Sequence, residues 1–592
     1  MTTVTPVANA PTHSRKSSRS SPDVLIRPYS IPREAPCQAS TGTRRTAIIL
    51  VSVTAASKSF GARTILSDLD FEVDERARVG VIGPNGGGKS TLLRLLAGTE
   101  HPDAGEVARR RGLVAAFLPQ QVPPDERTPR QIVRAARPRL AEIDAELASC
   151  AARLGSEQVM ADLDLMGRVL RLQDRLLDEY EREGGHAFEG RIESLLLDLG
   201  LAPDQLDETA GVLSGGQRKL VVLAACLAQD PDLLLLDEPE THLDAERRSD
   251  LERLVRSFDG AVVMVSHDRY LLDETVNMIA ELDRGRITLW PGNYSAYALS
   301  RELALQRQQQ EWVTQQKEIA RLEEAIRRFK QWFQQGENER HIKQARVKQR
   351  QIDRMEKVER PVLERRKMAL RLRSEQRGGQ RVIELRGVDA AYGEEPVLLD
   401  VSVTVLRGER VGIIGPNGSG KSVLTRLITG ELEPAAGERW IGPSIVVGSL
   451  AQDHHPALGA ATPLDAVRLV RPSTEGEAVH RLMRFLFTYE QVRQPVEKLS
   501  GGERTRLELL LLMLGGANCL VLDEPTNHLD IDAVEVLEGA LEEFDGTAIF
   551  VSHDRYFLDR IADRILDVRD GRVRSWEGGY SDWYAARGGV AA

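Results

Sequence analysis

Two stretches of the chain carry the residue types that bind phosphate groups, and their sequences are nearly identical. Residues 83–91 read GPNGGGKST, and residues 415–422 read GPNGSGKS. Each follows a short apolar run and precedes a leucine-rich stretch, which predicts a buried strand, a glycine loop and a helix in that order. Such loops direct backbone N–H groups at phosphate oxygens beside a helix N-terminus, where the helix dipole also favours anions. The sequence therefore predicts two phosphate-binding loops, formed by Gly83, Pro84, Asn85, Gly86, Gly87, Gly88, Lys89, Ser90 and Thr91, and by Gly415, Pro416, Asn417, Gly418, Ser419, Gly420, Lys421 and Ser422.

An acidic pair and a histidine follow each glycine loop in the sequence. The acidic pairs end short apolar runs, and each histidine follows its aspartate at a spacing that is identical in the two halves. In phosphoryl transfer the loop lysine neutralises phosphate charge, while a hydroxyl and a carboxylate ligate Mg²⁺. A neighbouring glutamate orients the attacking water as the general base. We therefore predict Mg²⁺ ligands from Ser90, Asp237, Ser422 and Asp523, general bases at Glu238 and Glu524, and γ-phosphate sensors at His267 and His553.

Two further residue types keep a constant distance from the loop lysines. Phe60 and Tyr392 precede their lysines by the same number of positions and either stack on a nucleotide base or pack a turn. Gln120 and Gln452 follow their lysines at a matching distance, which is compatible with a place in the Mg²⁺ shell or its water. Gln121 leaves a one-residue ambiguity in the first half.

These motifs recur because the chain contains one unit twice. The loops, the aromatic residues and the glutamines repeat with one constant offset, whereas the LSGG, LDEP and VSHDRY motifs repeat with a smaller one. The first half therefore holds an insertion between Gln120 and Ser214. Short apolar runs that alternate with helical patterns predict an α/β fold with buried parallel strands.

The region between the two units has a different pattern. Trp312, Ile319, Ile326 and Phe333 recur every seven residues, and Gly336 and Asn338 interrupt the stripe. Two helices joined by a short turn form an antiparallel hairpin. Residues 301–372 hold 19 Lys and Arg against 11 Asp and Glu, whereas the whole chain has a net charge of −10. A phosphate-rich partner would therefore bind at this segment.

The combination of glycine loop, LSGG, LDEP and SHD resembles the ATP-binding-cassette ATPases over residues 47–592. The resemblance implies hydrolysis of MgATP at two composite sites, in which each LSGG signature caps the nucleotide of the opposite loop. Residues 83–91 would then face the second signature, and residues 415–422 the first. The nucleotide-binding residues implied in this way are Ser214, Gly215, Gly216 and Gln217, and Ser500, Gly501, Gly502 and Glu503.

The finer resemblance is to the ABC-F branch, whose members have two cassettes, no membrane domain, an arm in the first cassette and a basic helical linker. The expected fold is α/β, with two P-loop ATP-binding-cassette domains joined by an α-helical hairpin linker. The boundaries are a first cassette at 47–297 with its arm within about 125–200, a linker at 298–380 and a second cassette at 381–592. The family implies ribosome binding, with rRNA and tRNA meeting the tip at 332–341 and the basic residues Lys343, Arg346, Lys348 and Arg350.

The composition of the chain indicates the cellular environment of the protein. No apolar run approaches the roughly 18 residues of a membrane helix, and the four cysteines have no paired spacing for zinc or disulfides. We expect a monomeric chain without membrane insertion in the reducing cytoplasm. Residues 1–46 have few large apolar side chains, so they are expected to be a disordered tail or to follow from a start codon placed too early. A transit peptide is the alternative.

Some questions stay open at the level of sequence. Glu240 stands where the family has threonine, and a carboxylate near a triphosphate would slow the first site relative to the second. A translation factor and an antibiotic-resistance factor are not distinguished by these motifs. The rival function is the ATPase subunit of an exporter with a separate membrane chain, against which the linker argues. A role in DNA repair is a third hypothesis, and the sequence supports it less than the other two.

Overall fold

The computed structural model describes residues 48–61, 63–156, 162–336, 339–355, 380–392, 395–450, 459–485, 487–499, 501–527 and 529–587. The tail predicted at 1–46 lies outside the described residues, as do Gln452 and Ser500 and the side chain of Tyr392.

The two halves contain the same series of strands. They are β1 (Ile49–Phe60), β2 (Arg63–Asp74), β3 (Arg78–Ile82), β4 (Ala104–Arg109), β5 (Ala115–Leu118), β6 (Leu233–Asp237), β7 (Ala261–Val265), β8 (Met278–Asp283) and β9 (Arg286–Pro291), followed by β10 (Arg381–Tyr392), β11 (Glu395–Leu406), β12 (Arg410–Ile414), β13 (Ala436–Ile441), β14 (Val447–Leu450), β15 (Cys519–Asp523), β16 (Thr547–Val551), β17 (Arg564–Arg569) and β18 (Arg572–Glu577).

The helices alternate with these strands, apart from a central pair. They are α1 (Lys89–Ala97), α2 (Pro129–Arg134), α3 (Pro138–Leu154), α4 (Leu163–Arg182), α5 (Gly185–Asp198), α6 (Gly215–Leu227), α7 (Ala245–Ser257), α8 (Arg269–Thr275), the central pair α9 (Tyr294–Gly336) and α10 (Glu339–Arg354), then α11 (Lys421–Thr429), α12 (Pro463–Val470), α13 (Glu475–Arg484), α14 (Gly501–Leu514), α15 (Ile531–Glu543), α16 (Arg555–Ile561) and α17 (Tyr580–Ala586).

Each half builds two sheets with matching strand order. A six-stranded sheet has the order β5-β6-β7-β3-β8-β9 in the first half and β14-β15-β16-β12-β17-β18 in the second. Its strands are parallel except for the last, which pairs antiparallel. A three-stranded antiparallel sheet has the order β2-β1-β4 and, in the second half, β11-β10-β13. The α/β class predicted from the sequence is confirmed.

The six-stranded sheet is buried on both faces. Along β6, Leu233 and Leu235 join the core shared with α1 and the three-stranded sheet, whereas Leu234 and Leu236 join the core formed with the helices on the other face. Alternate side chains of a strand point to opposite faces, so a fully apolar strand is the expected sequence for this position. Each glycine loop comes directly after such a buried strand, and each acidic pair lies at the end of one.

The first half has helices that the described part of the second half does not match. In the second half, α12 and α13 lie between β14 and the signature. They correspond in position to α2 and α5 of the first half. Helices α3 and α4 are additional, and they occupy the place where the sequence predicted the arm. Leu140, Ile143 and Val169 bury them against the first core.

Helices α9 and α10 pack against each other between the cassettes. Leu322 and Ile326 of α9 are buried with Ala345 and Ile352 of α10, in agreement with the predicted apolar stripe. Helix α9 begins at Tyr294, and the Asn293 side chain caps it by accepting a hydrogen bond from Ala296 N at 3.1 Å. No helix within the described ranges is long and apolar enough to cross a membrane.

Candidate functional site

The two glycine loops have the backbone geometry of a phosphate cradle. Gly83 and Gly88 lie at φ values of 146° and 103°, and Gly415 and Gly420 repeat these values at 151° and 99°. A Cβ atom at Gly83 would lie 2.2 Å from the Leu282 carbonyl oxygen. Because only glycine fits this position without a clash, the strand can turn sharply into the loop and place α1 directly behind it.

The loop lysines are held at their own loops. Lys89 Nζ donates to the carbonyl oxygens of Gly83 and Pro84 at 2.7 and 3.2 Å. Lys421 makes the same two contacts at 2.8 Å each. Burial lowers the pKa of Lys89, and the Asp530 and Glu238 carboxylates oppose this shift. An anion bound in the loop would compensate the buried ammonium charge.

The oxygen ligands beside each loop fit Mg²⁺. Asp237 ends β6 with its Oδ1 buried and without a hydrogen-bond partner in the described structure, while burial raises its pKa against the effect of a hydrogen bond from Ser90. In the second half Ser422 Oγ donates to Asp523 Oδ2 at 3.3 Å. Within the described ranges no three His, Cys, Asp or Glu side chains could hold a metal by themselves. Further ligands would therefore come from phosphate and water, as is common for Mg²⁺.

Each predicted general base lies beside its predicted sensor. Glu238 and Glu524 both have φ 47°, a backbone strain that concentrates at functional sites. His267 Nε2 lies 3.8 Å from Glu238 Oε1, and His553 Nε2 lies 3.4 Å from Glu524 Oε1. Burial raises the pKa of Glu524 to about 7 and lowers the pKa of His267 to about 3. Burial also lowers the pKa of His553 well below its usual value, so both histidines are neutral near pH 7 and can donate a hydrogen bond through one ring nitrogen.

A cavity of about 510 Å³ surrounds the first loop and includes residues from both halves. Phe60 and Gln120 line it from the first half, and Gly502 of the second signature lines it from the opposite side. Phe60 is half exposed, with Lys58 Nζ 5.8 Å from its ring centroid. The arrangement matches the expected pairing of residues 83–91 with the second signature, and it leaves the Phe60 ring accessible for stacking.

The second cavity, of about 560 Å³, is completed by a different part of the first half. His242, Leu243 and Arg248 line it together with the second loop. The first signature does not line this cavity, because His242 stands between: its Cδ2 would lie 3.5 Å from a Cβ at Gly215, and its carbonyl oxygen accepts from Asn417 Nδ2 at 3.3 Å. The expected pairing of the first signature with residues 415–422 is therefore indirect in this structure.

The signature side chains bond within their own cassettes. Ser214 caps α6 by accepting from Gln217 N at 3.2 Å, and Gln217 Nε2 donates to Gln205 Oε1 at 3.1 Å. Glu503 accepts from Gln491 Nε2, so the Gln-to-Glu difference between the two signatures preserves the contact. Of the second signature, Gly502 near the N-terminus of α14 lines the first cavity.

Sequence reasoning missed the aspartates that join the two halves. Asp530 Oδ2 accepts from Asn85 N at 3.2 Å, and Asp244 Oδ2 lies 3.4 Å from Asn417 N. Both aspartates end the same repeated motif, His-Leu-Asp, so the duplication was a usable signal. Arg248 was also missed, and Val534 occupies its place in the second half.

Comparison with known proteins agrees with this geometry. The ABC transporter family profile matches residues 66–241 and 398–527, and a second profile, also described as ABC transporter, matches residues 280–372. The energy-dependent translational throttle protein EttA of Haemophilus influenzae is 36% identical over 534 residues, covering 88% of this chain and 92% of that protein. ABC transporter F family member 5 of Arabidopsis thaliana is 34% identical over 529 residues, covering 88% and 75%.

A solved structure shares the fold at lower identity. The archaeal ribosome recycling factor aABCE1, in complex with the stalk protein aP1, aligns with a TM-score of 0.58 and 19% identity over 90% of this chain and 92% of that chain. At this identity the likeness concerns the fold alone. Two cassettes with ATP-binding motifs, a helical region between them and relatives named above identify the molecule as an ATP-hydrolysing enzyme. The chain belongs to the ATP-binding-cassette family, in its ABC-F branch.

Proposed function

We propose that the protein is a ribosome-associated factor that hydrolyses MgATP at both composite sites and uses the α9–α10 hairpin to contact RNA. The observation that carries the proposal is the basic hairpin whose base is bonded to both cassettes. Arg301 on α9 lies 3.1 Å from Glu281 Oε1 of the first cassette and 3.0 Å from Asp532 Oδ1 of the second. Movement of one cassette relative to the other would therefore move the hairpin.

The roles proposed for each site combine the repeated motifs with the geometry of the described residues. The loop N–H groups and Lys89 or Lys421 would hold the phosphates. Mg²⁺ would be held by Ser90 with Asp237, or by Ser422 with Asp523, with Gln120 or Gln452 in its shell. Bound Mg²⁺ supplies charge neutralisation at the phosphates. Glu238 and Glu524 accept the proton of the attacking water, and His267 and His553 donate to the transferred phosphoryl group. Phe60 and Tyr392 stack on the base.

The tip of the hairpin has the residue types that bind RNA. Trp332 is half exposed, and its ring lies 5.5 Å from that of His341. Arg346 and Arg350 are exposed on α10. Exposed aromatic rings stack on unpaired bases, and arginines attract phosphates in a salt-dependent way. A relative named for translational throttling supports a partner in translation, and we propose rRNA and tRNA as the RNA that the hairpin contacts. We assign the protein to the cytoplasm and, because one chain supplies both halves of each site, treat it as a monomer.

The test is co-sedimentation of the Glu238→Gln, Glu524→Gln double variant with purified ribosomes. This variant keeps the ATP contacts but loses both general bases, so we expect it to accumulate on ribosomes with ATP. Raising the salt concentration should weaken binding, as should Arg346→Glu with Arg350→Glu. A matched control with Lys89→Ala and Lys421→Ala should not respond to ATP.

Absence of ATP-dependent binding in a folded double variant would contradict the proposal. Recovery of the protein with washed membranes would instead favour the hypothesis that it is the ATPase subunit of an exporter. Protection of ribosomes from an antibiotic, measured with the unmodified protein, would separate a resistance role from a general translation role.

A further inference from the structure

The first half carries two buried titratable side chains at positions where the second half has threonines. When the two signature motifs are aligned, Glu240 corresponds to Thr526 and Lys219 to Thr505. Only 6% of Glu240 and 3% of Lys219 is exposed. A buried ionised side chain is costly unless other groups compensate it, so the contacts of this pair indicate what it does.

Glu240 is bonded to the segment that carries the predicted sensor. Its Oε1 accepts from Ser266 Oγ at 2.8 Å and from the backbone N–H groups of His267 and Asp268 at 2.9 and 3.3 Å. In the second half the shorter side chain of Thr526 meets the hydroxyl of Ser552, at 3.3 Å. The longer carboxylate therefore fastens the backbone of His267 directly, whereas the threonine contacts the residue before His553.

Lys219 approaches the same turn from the opposite side. It lies on α6, behind the first signature, and its Nζ donates to the carbonyl oxygen of Glu238. Burial lowers the pKa of Lys219, and Glu240 is the foremost of the carboxylates that oppose this shift. The turn that carries Glu238 is thus held between α6 and the His267 segment by the side chains of Lys219 and Glu240.

We propose that Lys219 and Glu240 are positioning residues of the first site, which together hold Glu238 and His267 in a fixed relation. The link is specific to the first site and makes it mechanically different from the second. Glu240 also lines the cavity around the first loop, so an effect of its carboxylate on a bound triphosphate stays a prediction beside this positioning role. The inference rests on the roles proposed for Glu238 and His267.

The test uses the Glu524→Gln background, in which only the first site turns over. Lys219→Thr removes the hydrogen bond to the Glu238 carbonyl oxygen, and Glu240→Thr releases the His267 segment. We expect each to lower kcat about tenfold, since small misplacements of catalytic groups are costly, and to leave KM and the Kd for a fluorescent ATP analogue within about twofold. The double variant recreates the threonine pair of the second half, and its kcat should return to within about threefold of the parent.

Glu240→Gln separates hydrogen bonding from charge and keeps the side-chain volume. It retains an acceptor for Ser266 and His267, so kcat should stay within about threefold, while the Tm falls because Lys219 loses its counter-charge. Glu240→Gln also tests the proposal if the threonine variants do not fold.

Two results would overturn the link: unchanged kcat in the folded single variants, or a double variant whose loss equals the product of the single losses. A different failure is recognisable in the same background. If His267→Ala retains the turnover of the first site, the role of His267 is wrong, whatever the behaviour of Lys219 and Glu240.

Discussion

Arg248 belongs to the first half of the chain but donates to the backbone of the second site. Its Nη1 lies 3.0 Å from the His553 carbonyl oxygen and 3.1 Å from Asp268 Oδ2. The guanidinium also opposes the effect of burial on the pKa of Glu524. Since Val534 occupies the matching position, the two sites differ in a charged group that comes from the opposite cassette.

We expect Arg248→Ala to lower kcat of the second site about tenfold, because His553 loses a fixed backbone contact and Glu524 a favourable charge. The measurement is ATP turnover in the Glu238→Gln background, where only the second site works. Val534→Ala in the Glu524→Gln background is the matched control and should change the first site less than about threefold. Equal losses in both experiments would mean that Arg248 only supports folding.

At the residue scale, sequence predicts groups that act within one motif and misses those that act between halves. The loop lysines, Asp237 and Glu238 lie together because a strand and its following turn fix them. Arg248 carries no such signal, since its acceptor at His553 belongs to the other half of the chain and its repeat position holds valine. The same limit applies to Glu240: the motif predicted its place beside the first site, but its acceptor role depends on the fold of residues 266–268.

At the element scale, the linker is a continuation of the first cassette. Helix α9 begins at Tyr294, a few residues before the predicted boundary at 298, because the Asn293 cap and the hydrogen bonds of Ser295 to Asp273 start it there. The apolar stripe predicted the packing of α9 on α10, since heptad spacing depends on local sequence alone. The anchoring of α9 by Arg301 could not be predicted, because it needs Asp532 from the other cassette.

Arg301→Ala should uncouple the hairpin from cassette closure. Asp532 lies two residues after Asp530, which bonds the first loop, so Arg301 joins the linker to the ATP site. We expect ATP-dependent ribosome binding of the double Glu→Gln variant to weaken about tenfold, while ATPase activity without ribosomes stays within about threefold.

The matched control is Arg569→Ala. Arg569 lies 2.6 Å from Glu246 and 3.1 Å from Asp567, the repeat counterparts of Asp532 and Glu281, but it lies on β17 instead of a linker helix. Ribosome binding should be nearly unchanged in this control. An equal loss in both variants would show that the contact supports the cassette interface in general.

At the scale of the whole molecule, duplication produces an interface that uses the same residues twice. Arg269 pairs with Glu538 across the cassettes, and Arg555 pairs with Glu252 in the repeated arrangement. Each guanidinium also lies over a tyrosine ring of the opposite half, at 4.3 Å for Tyr556 and 4.2 Å for Tyr270. The repeated VSHDRY motif indicated these arginines, but their partners depend on how the halves face each other.

Removing one partner of such a buried pair should be far more costly than removing a surface pair. Glu538 is fully buried and also pairs with Arg560, so Glu538→Ala leaves Arg269 with the Asp554 carboxylate at 3.5 Å as its remaining ion-pair partner among the described residues. We expect the apparent free energy of unfolding in urea to fall by about 3–5 kcal/mol. Glu542→Ala, which removes the exposed partner of Arg560 on the same helix, should cost about 0–1 kcal/mol. Replacing Arg269 and Glu538 together by Met and Leu should restore much of the loss, because neither charge then stays buried alone. If the single and double replacements are equally destabilising, packing at this position, and not the charge pair, holds the cassettes together.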